Sequence, residues 1–224
     1  MRDPTPPEWL ALLAGVKPAL RLLRDARRAQ AEAAAARRRG FAIEVVALGE
    51  RAIVYVARTP AAARAVRDAE AAALPGQAPR ARFDPAPHEA LGALLGFPPC
   101  CVVAFVARIA RGADVAADGG RAHEDWIAAT EAAACSAALD ARANVFERDH
   151  LPGWLSHEPC RFDCPPSLAY ADRVIAVARA HDRAGADHLA RRLAAPVAIA
   201  RDGRRGAPGA PLVDACVLAF GDPA

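Results

Sequence analysis

Residues 96–101 read Gly-Phe-Pro-Pro-Cys-Cys, and residues 159–167 read Pro-Cys-Arg-Phe-Asp-Cys-Pro-Pro-Ser. These two segments hold four of the six cysteines of the 224-residue chain. Proline lacks a backbone N–H group and is therefore favoured in the first turn of a helix. We predict that Cys100 and Cys101 lie at the start of one helix, and that Cys164 caps the start of the next long helix.

The cysteines at these helix starts are predicted to meet in one thiolate site. Helix N-termini present free N–H groups and the positive end of the helix dipole, which stabilise thiolates. Neighbouring helical residues point about 100° apart, so adjacent cysteines are not expected to reach one ion easily, whereas a cluster of several irons relaxes that limit. We therefore expect an iron–sulfur cluster bound by Cys100, Cys101, Cys160 and Cys164, with zinc as the alternative metal.

Two metal-free interpretations of the cysteines remain open at this point. They can form a redox pair, or they can be small buried residues of the core. Cys135, in an alanine-rich predicted helix, and Cys216, in an apolar predicted strand, are interpreted as core residues.

Three residues near the second segment are candidates for chemistry. His157 lies three residues before the second pair of cysteines and can ligate a metal or donate a proton, with a structural histidine as the alternative. Asp163 can act in catalysis or cap the following helix. Arg148 can offset the charge of several thiolates or bind an anionic cofactor or substrate.

The two segments resemble the motifs of an uncharacterised prokaryotic domain family, which pairs Gly-[Tyr/Phe]-Pro-x-Cys-Cys with a later Pro-Cys-x-x-x-Cys-x-x-Ser. That resemblance covers roughly residues 88–185 and implies no particular activity. The four cysteines are also similar, more distantly, to those of the iron–sulfur epoxyqueuosine reductase family, which has a Cys-Cys pair and a later close pair. This chain has Cys-x3-Cys where that family has Cys-x2-Cys. The second resemblance implies that four such cysteines can share one cluster.

The rest of the pattern predicts an α+β fold with a mostly helical centre. Hydrophobic spacing predicts helix over 7–39 and again over 165–195, and alternating residues predict a β-hairpin over 41–57. Residues 196–200 and 212–220 are predicted as closing strands. We expect one small, mainly antiparallel sheet formed by the N-terminal hairpin and the C-terminal strands.

We interpret the chain as a single domain, 1–224, with four consecutive parts. They are a basic helical arm (1–40), a hairpin, helix and proline-rich connector (41–87), a helical core with the cysteine motifs (88–195), and the closing strands (196–224).

The composition sets limits on partners and compartment. Apolar residues make up 54% and charged residues 25% of the chain, which is ordinary for a globular protein, and the bias towards alanine and arginine is typical of a GC-rich bacterial genome. The net charge of +3 is concentrated in residues 1–40, which hold nine basic and four acidic residues. Nucleic-acid binding by this arm is not favoured, because a solvated helix face explains the charge and few aromatics are present for base stacking. No signal peptide or spanning segment is recognisable, so we expect a cytoplasmic protein with no membrane contact.

The sequence as a whole favours a metal-dependent enzyme. It would use the four cysteines for redox or sulfur-related chemistry on a small molecule or a modified biopolymer, with a redox partner where electrons are exchanged. The alternatives are a zinc-stapled module that binds nucleic acid or protein, and a metal-free thiol oxidoreductase.

Overall fold

The computed structural model describes residues 6–73, 84–112, 121–146, 153–200, 205–206 and 216–220. The elements in chain order are α1 (Pro7–Leu13), β1 (Ala19–Asp25), α2 (Ala26–Arg38), β2 (Ala42–Leu48), β3 (Arg51–Ala57), α3 (Pro60–Ala73), α4 (Ala86–Leu94), α5 (Pro99–Gly112), α6 (Arg121–Ala134), a 3-10 turn (Ala141–Ala143), α7 (Pro165–His181), α8 (Arg183–Ala194), β4 (Val197–Ile199), β5 (Arg205–Gly206) and β6 (Cys216–Leu218). The predicted α+β class is confirmed. No helix in the described ranges has both the length and the apolar character needed to cross a bilayer.

The described chain groups into two compact units. One comprises Leu12–Val102, and the other comprises Met1–Ala11 with Val103–Ala224. Both divisions fall inside continuous helices, α1 and α5. Because units that share helices can still belong to one domain, the single domain over 1–224 stays a prediction.

The unit of residues 12–102 is built on a three-stranded antiparallel sheet in the order β1-β3-β2. In the central strand, Val54 lies opposite Leu22 of β1 and Val45 of β2. Residues 52–57 of β3 are all buried, because alternate side chains of a strand point to opposite faces and both α2 and α3 pack on this sheet. Tyr55, for example, shares an apolar cluster with Val66 of α3.

The prediction of helix throughout 7–39 is wrong in its middle, where Ala19–Asp25 form strand β1. Leu20 and Leu22 are buried while Arg21 between them is only partly so, which is the two-residue period of a strand. The predicted basic helical arm, 1–40, therefore contains strand β1 between the helices α1 and α2. The leucines of β1 follow those of α1 closely, so the two sets together resemble one helical period.

The unit that contains residues 103–224 is mainly helical. Helices α7 and α8 pack together and against the 3-10 turn. They are separated at Asp182, which caps α8 by accepting a hydrogen bond from the backbone N of Gly185 at 3.0 Å. The predicted closing strands form a second sheet in the order β5-β4-β6, with Val197 opposite Leu218. The hairpin and the C-terminal strands thus belong to two separate antiparallel sheets rather than to one, and 212–215 lie outside the described residues.

Helix α4 ends in a turn that leads directly into the first cysteine segment. Gly96 has a φ of +75° and donates to the carbonyl of Ala93, while Phe97 donates to the carbonyl of Gly92. This is the Schellman pattern, in which a left-handed glycine follows the helix. A Cβ on Gly96 would lie 2.6 Å from Cδ of Pro18, so only glycine fits without a shift of neighbouring atoms.

Replacement of this glycine is expected to destabilise the fold. Gly96→Ala should lower the free energy of unfolding by about 2–4 kcal/mol, because it adds left-handed strain of about 1–2 kcal/mol and a clash. Gly40 is a matched control: it ends α2 in the same hydrogen-bond pattern, has a φ of +81°, precedes a phenylalanine, and has no atom within 4 Å of an added Cβ. Gly40→Ala should lower the free energy of unfolding only by the left-handed strain, about 1–2 kcal/mol. Equal losses of stability in urea unfolding would contradict the role assigned to the contact with Pro18.

Candidate metal centre

Four sulfur atoms converge at the predicted site. The Sγ atoms of Cys100, Cys101, Cys160 and Cys164 lie within 4.8 Å of one another. Cys101 and Cys164 are buried, with 2% and 1% of their surface exposed, Cys160 is half-buried, and Cys100 is exposed. The prediction that the two cysteine segments meet is confirmed, and the group can hold a metal ion.

The sulfur atoms of the adjacent cysteines lie closer together than the expected divergence of their helical positions suggests. The Sγ atoms of Cys100 and Cys101 are 4.0 Å apart. Successive Cα–Cβ bonds of a helix do diverge by about 100°, but rotation about χ1 can bring the sulfur atoms together again. Around a tetrahedral ion with metal–sulfur bonds of about 2.3 Å, neighbouring sulfurs are about 3.8 Å apart. The pair therefore has the spacing of two ligands of a single ion.

The first helix start is built by the two prolines, as predicted. Helix α5 begins at Pro99, and the carbonyl of Pro98 accepts hydrogen bonds from the backbone N of Cys101 at 2.9 Å and of Val102 at 3.1 Å. The side chain of Val102 packs onto Gly92 of α4 so closely that a Cβ there would lie 2.5 Å from it. The turn that carries the paired cysteines is thus fixed against the preceding helix.

The second helix start also follows the prediction. Cys164 is the N-cap of α7, and Pro165 and Pro166 fill the first two helical positions. The backbone N of Cys164 donates to the carbonyl of Arg161 at 3.1 Å, which closes a tight turn between the two ligands. Its own carbonyl accepts from Leu168 at 2.9 Å, the first hydrogen bond of the helix.

Phe162 anchors the loop between Cys160 and Cys164. Its side chain is fully buried and makes edge-to-face contacts with Phe146 and Phe220, at centroid distances of 6.2 and 5.2 Å. Aromatic contacts of this type contribute beyond the area that they bury. This role was not predicted from the cysteine spacing, although Phe162 is the one apolar residue between Cys160 and Cys164.

Two hydrogen bonds join the same loop to the end of α6. Ser136 Oγ accepts from the backbone N of Phe162 at 2.7 Å, and the Oδ2 of Asp163 accepts from the backbone N of Ala137 at 3.0 Å. Asp163 also pairs with Arg161 at 3.3 Å. Asp163 therefore fastens the end of α6 and does not cap α7 with its side chain, and its predicted catalytic role stays a prediction.

His157 is buried beside α7. Its Nε2 lies 2.9 Å from Oγ of Ser167, and its ring meets Tyr170 edge-on at a centroid distance of 5.9 Å. Among the described residues, the ligand group consists of the four cysteines without His157. The bond to Ser167 ties the segment before Cys160 to the first turn of α7, and catalysis by His157 stays a prediction.

Arg108 connects helix α5 to the segment before Cys160. Its side chain is only 11% exposed and pairs with Glu158 at 2.5 Å and with Glu131 of α6 at 3.3 Å. Because Arg108 lies two turns after Cys101 on one continuous helix, these ion pairs position that helix against the loop. A single partner removed from such a pair would leave a largely buried charge.

The remaining candidates are placed as follows. Arg148 lies outside the described residues. Cys135 is exposed, contrary to the prediction of a core residue, because α6 ends at Ala134, earlier than the sequence suggested. Cys216 is half-buried, and burial raises the pKa of its thiol.

No family model, curated protein or solved structure matches the chain. The two family resemblances stay predictions. The class of protein is therefore argued from the geometry of the four-cysteine group.

Removal of the Ser136 hydroxyl tests the anchoring of the loop. Ser136→Ala should lower the free energy of unfolding by about 1–3 kcal/mol, because the backbone N–H of buried Phe162 loses its acceptor. Thr130→Ala is the matched control, because Thr130 Oγ1, like Ser136 Oγ, donates a hydrogen bond to the carbonyl four residues earlier in the chain. We expect a change of about 0.5 kcal/mol or less for the control. If urea unfolding shows a comparable loss of unfolding free energy in both variants, Ser136 does not anchor the loop.

Proposed function

We propose that the protein is a metalloprotein in which Cys100, Cys101, Cys160 and Cys164 bind one metal ion, zinc or iron, as four thiolates. The observation that carries the proposal is the mutual distance of at most 4.8 Å between the four Sγ atoms. This distance exceeds the edge of a tetrahedron with zinc–sulfur bonds by only about 1 Å, which side-chain rotation can remove. An all-sulfur ligand set selects soft metals over magnesium or calcium.

The same spacing favours one ion over the iron–sulfur cluster expected from the sequence. In a cluster the four thiolates are divided among two or more irons, so the sulfurs that bind different irons lie farther apart than sulfurs around one ion. The expectation of a cluster depended on divergence of Cys100 and Cys101, whose sulfurs are 4.0 Å apart.

We further propose that the centre supports redox or sulfur-related chemistry on a small molecule or a modified biopolymer. A single iron with four thiolates can change its oxidation state and exchange electrons with a partner protein. Zinc has no redox chemistry, but it keeps its sulfur ligands deprotonated. The exposure of Cys100 supports this proposal, because a substrate or redox partner can approach one ligand directly from solvent.

A structural zinc ion is the second candidate. Four protein ligands leave no open coordination position, which is the usual arrangement of structural zinc sites. The burial of Cys101 and Cys164 favours this role, since buried thiolates are shielded from reagents. Such an ion would join the first turn of α5 to the first turn of α7.

Nucleic-acid binding through residues 1–40 is not part of the proposal. Arg21 pairs with the buried Glu70 at 2.6 Å, and Arg24 pairs with Glu32 at 2.9 Å. These carboxylates neutralise part of the positive charge on which that expectation depended. Binding of this kind would show affinity that falls steeply as salt is raised.

Metal analysis of freshly purified protein tests the main proposal. We expect about one zinc or iron per chain without acid-labile sulfide. Cys164→Ala should lower the metal content at least about tenfold, since loss of one ligand opens the site. Cys135→Ala is the control, because this cysteine is outside the group, and it should retain the metal.

Two results would overturn the single-ion proposal. Sulfide in amounts equal to iron, with the broad visible absorption of a cluster, would replace one ion by an iron–sulfur cluster. A folded protein without metal, in which Cys164→Ala unfolds at the same urea concentration as the parent, would exclude the metal centre itself.

A further inference from the structure

The four ligands of the proposed metal centre differ in their access to solvent. Cys101 and Cys164 are almost completely buried, whereas Cys100 is exposed. Val103 follows Cys100 by three residues, on the same face of α5, and 61% of its surface is exposed. One of the four candidate ligand residues is therefore exposed to solvent, and an exposed apolar residue lies one turn further along the same helix.

We propose that Cys100 is a nucleophile that accepts a carbon group from an uncharged, soft electrophile. This inference rests on the proposed function, because the form of cysteine that binds a metal ion, the thiolate, is also the nucleophilic form. The buried ligands Cys101 and Cys164 hold the ion, while the exposed one meets the reagent. The site would thus accept a transferred carbon group as well as bind a metal ion.

The step needs no oxidant, reductant or proton donor. The Sγ of Cys100 attacks the electrophilic carbon, a sulfur–carbon bond forms, and the bond from that carbon to its leaving group breaks. The leaving group departs with the bonding electron pair, and a thioether remains on Cys100. Four thiolates around a divalent ion carry a formal charge of −2, and this charge becomes −1 after the transfer.

The charges around the site favour an uncharged reagent over an anion. Arg161, in the loop between two of the ligands, is paired with Asp163, and Arg108 is paired with Glu158. In each pair the carboxylate neutralises the guanidinium group. The two arginines therefore do not cancel the negative charge of the thiolates. The exposed side chain of Val103 adds apolar contact for the carbon portion of a reagent.

Alkylation of the metal-loaded, full-length protein with iodoacetamide tests the inference. Near pH 6 we expect Cys100 to be modified at least about tenfold faster than Cys135, which is equally classed as exposed but lies outside the group. An ordinary thiol is mostly protonated at that pH and reacts slowly. Peptide mapping by mass spectrometry gives the rate at each cysteine. Replacement of iodoacetamide by iodoacetate, its anionic counterpart, should slow the reaction more at Cys100 than at Cys135.

Two variants and the metal content of the same sample decide the outcome. Cys100→Ser should abolish the fast reaction, and Cys135→Ser should leave it unchanged. If metal is bound but Cys100 reacts no faster than Cys135, or Cys160 reacts first, the nucleophile assignment is overturned while the metal centre stands. If the folded protein holds no metal, the proposed function fails and this inference fails with it.

Discussion

Electrostatic repulsion among four closely spaced sulfur atoms is the constraint on which the rest of the site depends. At an effective dielectric constant of about 20, two unit negative charges about 4 Å apart repel each other by about 4 kcal/mol. The four Sγ atoms within 4.8 Å of one another form six such pairs, so they cannot all be thiolates unless a cation lies among them. Without a cation among them, some of the four groups must therefore be protonated thiols. Metal binding must release protons, and its affinity must depend on pH.

The contacts that bring the sulfurs together do not themselves require a metal. Phe162 is held by two aromatic rings and by Ser136, and Arg108 holds α5 through its ion pair with Glu158. These contacts are made by side chains other than the ligands, and they fix the backbone on which the ligands are carried. A site prepared in this way loses less conformational entropy when an ion binds, which strengthens binding without any additional ligand. Both His157 and Asp163 act on the same loop, so their described contacts are those of positioning residues.

The sequence was sufficient to predict those parts of the structure that a local rule decides. The prolines correctly predicted the starts of α5 and α7. It was insufficient where the deciding contact is distant along the chain. Strand β1 owes its conformation to pairing with β3, about thirty residues later, whereas the spacing of its leucines fits a helix equally well. The short distance between the Sγ atoms of Cys100 and Cys101 depends on side-chain rotamers. The roles of Ser136 and Ser167 depend on tertiary contacts. Neither can be predicted from the spacing of residues in the sequence.

The order of the strands in the first sheet has a consequence for how the chain folds as it is synthesised. Strands β2 and β3 are joined by a two-residue turn and can pair as soon as both have left the ribosome. Strand β1 is made earlier, yet in the described sheet it pairs with β3, so this pairing cannot form until β3 has been made. The N-terminal portion of a nascent chain would therefore be bound by chaperones more readily than its helical content suggests.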